Sequence, residues 1–259
     1  MHRTANPLLA ALIATTMAIA AAASQPLPFP PKPYAAVAIT LPPASTDESF
    51  TAFRAALAAV AKRRVYVELE PLVRTQDFFW DRNFGQGFND LAFDPRRPAV
   101  DNLAAAIQLE HRNGSGWRLL AAFAAETTIE PLVSHPGVVC APAQPSYNGV
   151  AFARLLDATY SGGGDWAFPR AEKTPVRNTP EPRSAAIGTL GLYFVRFLGF
   201  EGPDSMPSPG RTQWARIATP DAKIGFVAPG SLMSFTAERL CYIKNLVGWR
   251  IAGYIAGGN

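Results

Sequence analysis

The spacing of apolar residues changes near Pro169, and that change limits the folds open to this chain. Before it, apolar side chains recur every three or four positions; after it, every second position. Phe50, Phe53, Leu57 and Val60 follow the cap-forming run Ser45, Thr46, Asp47. They precede Lys62, Arg63 and Arg64, whose charge suits a helix C-terminus. VYVELEPLV reads more as helix than as strand. Three further helices are marked by Leu103, Ala106 and Ile107, by Trp117, Leu120, Ala121 and Ala124, and by Phe152, Leu155 and Leu156. Gly162, Gly163 and Gly164 stop the last one. Beyond Pro169, AAIGTL, YFVRFLGF, QWARIATP and IGFVAP alternate with turns, the pattern of a small β-barrel. Two more strand-like runs flank Asn245-Leu246-Val247-Gly248 and read as a hairpin. Charge divides at the same place: 11 basic and 14 acidic side chains over 45–169, 11 and 6 over 170–259. The expected architecture is α+β, with a small, mainly helical domain over 45–169 and a barrel plus C-terminal β-hairpin over 170–259.

MHRTANPLLAALIATTMAIAAAASQ has the order of a secretory signal peptide: a basic start, an apolar middle, then small residues with Ala21 and Ala23 in an A-x-A arrangement. It is expected to span 1–23. Its Ala/Thr-rich run falls short of the roughly 20 strongly apolar residues a stable span prefers. The mature chain is therefore expected in the periplasm of a Gram-negative bacterium, or secreted, with no membrane anchor. Five prolines in 24–34 favour extended chain, so 24–44 reads as a Pro-rich linker. Two cysteines cannot make a disulfide scaffold, but in an oxidising compartment they make one bond, Cys140–Cys241.

The second half also carries a resemblance. TPVRNTPEPRSAAIGTLG and QWARIATPDAKIGFVAPGSLM are similar to the opening and closing signatures of bacterial SH3-like (SH3b) domains. Val176, Arg177, Ile187, Gly188 and Leu190 carry the first match. Trp214, Ile217, Pro220, Gly225, Phe226, Val227 and Leu232 carry the second. Thr179-Pro180-Glu181-Pro182 replaces the usual Gly-Pro-Ser turn, and Phe226 replaces the usual Trp. The order of parts resembles a group of uncharacterised secreted proteobacterial proteins with an SH3-like domain. The resemblance implies an SH3-like β-barrel and a binding module that docks cell-wall peptide, glycan or envelope protein. Exposed aromatics would form its ligand surface, with Tyr193, Phe200 and Trp214 as candidates.

Catalytic motifs are missing. His111 and His135 lack a second ligand at zinc spacing. Asp81-x-Asn83-x-Gly85 begins like a calcium loop but continues with Gln86 and Ala92 where Gly and Glu are needed. The context of Cys140 and His135 matches no thiol-peptidase motif. No metal and no cofactor are expected. A net charge of +4 gives little reason to expect nucleic acid. The expected function is non-catalytic binding or scaffolding in the cell envelope. The alternative is a cell-wall hydrolase using carboxylates of the Asp81 to Asp101 stretch as acid and base, with Asp90, Asp94 and Asp101 as candidates whose spacing fixes no distance.

Overall fold

Asp47 starts the first helix. Its carboxylate accepts the Phe50 amide at 3.0 Å, and α1 (Glu48–Arg63) follows. Arg64 ends the helix in the left-handed region at φ 57°, returning its N–H to Val60. Phe50, Phe53, Leu57 and Val60 are buried on one face, as their spacing requires. A computed structural model describes residues 31–82, 93–110, 112–201 and 213–257. The expected signal peptide, its cleavage site, Asp90 and His111 lie outside them. Among the described residues no helix is long and apolar enough to cross a membrane.

VYVELEPLV is helical, as α2 (Tyr66–Leu69) and a 3-10 turn. α3 (Ala99–Ala106), α4 (Ser115–Ala125) and α5 (Gly149–Thr159) complete the helices. The strands are β1 (Ile39–Thr40), β2 (Phe79–Arg82), β3 (Glu130–Pro131), β4 (Val138–Ala141), β5 (Ser146–Tyr147), β6 (Trp166–Pro169) and β7 (Thr174–Arg177). They continue with β8 (Ala186–Leu190), β9 (Val195–Glu201), β10 (Trp214–Ala218), β11 (Ile224–Val227), β12 (Leu232–Ser234), β13 (Arg239–Asn245) and β14 (Gly248–Ala256).

This is α+β, but not the arrangement expected from the sequence. There is no mainly helical N-terminal domain followed by a closed SH3-like barrel. The described residues hold five α-helices and three sheets. The seven-stranded sheet, in the order β12-β6-β9-β10-β11-β7-β8, has β12 and β8 as edges and does not close. The five-stranded sheet runs β2-β14-β13-β4-β3. It therefore draws three strands from the stretch read as helical and two from the C-terminal hairpin. The physical reason lies in the hairpin itself, which is apolar on both faces. Leu240, Tyr242, Trp249, Ile251 and Tyr254 pack on α1, α3 and α4, while Cys241, Ala252 and Ile255 lie on the reverse side with Phe79, Val138 and Cys140. Strands buried on both sides need sheet neighbours as well as helices.

The segment read as a linker is packed from Tyr34 onward. β1 pairs with β5, and Val37 and Ile39 are buried with Phe152, Trp166 and Phe194. The Tyr34 hydroxyl donates to Ala218 O at 2.9 Å and accepts the Arg196 amide at 3.3 Å. Burying an aliphatic side chain contributes about 1.5–3 kcal/mol, so this stretch adds to the core.

Cys140 and Cys241 oppose each other in the β4–β13 register, are fully buried, and are joined by a disulfide across a Cα–Cα distance of 4.0 Å. In the chain-entropy picture, a loop spanning 101 positions stabilises by roughly 4–5 kcal/mol. Native protein should show no reactive thiol, and two after reduction in denaturant. Cys140→Ser with Cys241→Ser should lower the urea midpoint strongly.

Gly253 lies under the Phe79 ring, and a Cβ there would sit 2.5 Å from three ring carbons. Gly253→Ala should destabilise by about 1–3 kcal/mol through overpacking. Gly149→Ala, at an open position in the first turn of α5, should leave the urea midpoint unchanged or raise it.

Candidate functional site

The central strands of the seven-stranded sheet sort their side chains by alternation. In β10, Ala215 and Ile217 are buried in a cluster with Val176, Leu190, Val195 and Val227. Trp214 and Arg216 fall between them and face the other way. Register extends that outer face across three strands. Arg216 is opposite Phe226 in β11, and Phe226 is opposite Arg177 in β7. Trp214 is opposite Glu201 in β9. The outer face thus carries a row Arg216–Phe226–Arg177, with Trp214 and Glu201 one step along the strands. All five are half-buried.

β9 contains a bulge. Arg216 pairs with Gly199 and Ile217 with Phe197, so Leu198 is the extra residue. Gly199 takes φ +127°, a conformation suited to glycine. Phe197 and Phe200 are an odd number of residues apart, and a regular strand would put them on opposite faces. The extra residue turns both inward, with ring centroids 4.7 Å apart. Tyr193, which bridges to Ala38 just before β9, also packs against the inner cluster. The three aromatics expected to form a ligand surface therefore do not converge. Tyr193 and Phe200 face in; Trp214 faces out.

The arginines of the row have donors to spare. Arg216 Nη1 forms an ion pair with Glu201 Oε1 at 3.8 Å, beyond hydrogen-bond reach, and its buried Nε has no acceptor among the described residues. Arg177 Nη1 donates to Ser184 O at 2.5 Å. Sequence reasoning singled out Arg177 and Phe226 only as part of the family likeness, and missed Arg216. The signal was present in W-A-R-I-A, where Arg alternates with the buried Ala and Ile.

The carboxylates considered for acid–base chemistry are dispersed over separate elements. Asp94 Oδ1 accepts the Arg96 amide at 2.9 Å in a turn. Asp101, in α3, accepts the Tyr66 hydroxyl; burial, then Asp101, raises that phenol above its usual range. Asp81 Oδ2 lies 3.9 Å from Nε2 of His135, whose ring stacks on Phe79 and whose Nδ1 is 3.0 Å from Ser134 Oγ. Among the described residues, no three His, Cys, Asp or Glu side chains are grouped to hold a metal.

The chain matches no protein-family model, no curated protein and no solved structure.

Trp166 is fully buried and Trp80 and Trp249 are 8% exposed, whereas Trp117 and Trp214 are half-buried and share the quenchable emission. Trp214→Phe should lower the acrylamide-quenchable share of the fluorescence. An unchanged share would place the indole inside.

Proposed function

We propose that this protein is a non-catalytic binding protein of the bacterial cell envelope, which docks wall peptide, glycan or another envelope protein on the outer face of its seven-stranded sheet. The observation that carries this reading is the row Arg216–Phe226–Arg177 with Trp214 beside it. Aromatic rings offer apolar contact area at little entropic cost, and guanidinium forks add directed hydrogen bonds. Such residues dominate the binding energy of measured interfaces. Three further features support it: the disulfide suits an oxidising compartment, the N-terminal sequence has the order of an export signal, and residues 174–234 resemble bacterial SH3-like binding domains. On this reading the mature chain works in the periplasm or is secreted.

Co-sedimentation with purified peptidoglycan sacculi tests the proposal. Wild-type protein should be retained, and Trp214→Ala with Phe226→Ala should reduce retention about tenfold or more while the melting curve keeps its shape. Retention no better than that of an unrelated periplasmic control would overturn the reading for wall material.

A further inference from the structure

The row across the outer face has a length that selects among ligands. Arg216 and Arg177 sit on β10 and β7, with β11 between them. Neighbouring strands lie about 4.8 Å apart, so the two arginines start about 10 Å apart with the Phe226 ring between. Both keep donors without a hydrogen bond among the described residues: Arg216 forms only a long ion pair with Glu201, at 3.8 Å, and Arg177 donates to one carbonyl. A guanidinium with free N–H groups, partly withdrawn from water, is best satisfied by a carboxylate held in its plane. Arg216 meets that description most closely: its side chain is 16% exposed and its buried Nε has no acceptor among the described residues.

We infer that this strip takes an extended acidic peptide whose carboxylates, three residues apart, are received by Arg216 and Arg177 while the chain between them crosses Phe226. The inference rests on the binding role proposed above and names the chemistry of its ligand. The spacing follows from backbone geometry. An extended chain with three residues per turn rises about 3.1 Å per residue, which brings side chains i and i+3 to the same side about 9.3 Å apart. A fully pleated strand returns to the same side every two residues, at about 6.6 Å or 13 Å, and fits the arginine pair less well. A neutral glycan supplies no charge for either guanidinium. Glu201 sits at one end of the strip and opposes an incoming carboxylate. It therefore limits affinity for this ligand, and removing its charge strengthens binding.

Fluorescence anisotropy with labelled nine-residue peptides and the full chain tests the inference. The peptides carry glutamates at positions four and seven, at positions four and five, or glutamines at four and seven. The four–seven glutamate peptide should bind at least tenfold tighter than the glutamine peptide, and more tightly than the adjacent pair. Its affinity should fall with added salt. Arg216→Gln and Arg177→Gln should each cost about tenfold or more, whereas Glu201→Gln should tighten binding severalfold. That opposite sign separates recognition from general loss of structure, and Glu201→Gln leaves both arginines in place if Arg216→Gln folds poorly. Equal affinity for the glutamate and glutamine peptides, or no gain from Glu201→Gln, overturns the inference. If sacculi still retain the protein through Trp214 and Phe226 in that case, the binding role stands and only the acidic ligand fails. If chito-oligosaccharide competes for the strip and the glutamate peptide does not, the ligand is glycan and the inference is likewise overturned.

Discussion

The pairing of β4 with β13, bolted by Cys140–Cys241, is the constraint on which the other elements depend. β13 and β14 form the middle of the five-stranded sheet and bury apolar side chains on both faces. Neither face can be left to water. The helices cover one with Phe50, Leu57, Leu103 and Leu120; Phe79, carried in by β2, covers part of the other. The bond fixes the register from which these layers are built.

The seven-stranded sheet is joined to this body by polar contacts as well as by chain. Arg170 makes a two-pronged bond to Glu126 at the end of α4, at 2.7 and 3.0 Å. A second cluster fills the space beside α5, where Tyr147, Phe152, Phe194 and Phe235 meet edge-on or tilted. The packing of Tyr34, Val37 and Ile39 into it explains why a proline-rich stretch becomes structure: proline prevents helix, but it does not prevent a two-residue strand at an edge.

Sequence pattern revealed what is local. The buried faces of α1 and α5 follow the three-to-four spacing of their apolar residues, and the C-terminal hairpin lies where Asn245 to Gly248 signal its turn. In α4 the buried face is Leu119, Leu120, Phe123 and Ala124, so it is turned from the expected one: Ala121 is exposed and Trp117 half-buried. β2 and β4 were not legible as strands, because four residues show no period and their partners stand far along the chain. Trp214 could be picked out as an outward aromatic. Phe200 could not be told from it, since its direction depends on the one extra residue at the bulge before it. Arg216 gained meaning only once register set it beside Phe226.

The two cysteines enclose every residue of the outer strip, from Arg177 to Phe226. Tension applied to the chain outside that interval passes through the sulfur–sulfur bond and bypasses the strip. A backbone cut anywhere within the interval would likewise leave its two pieces covalently joined.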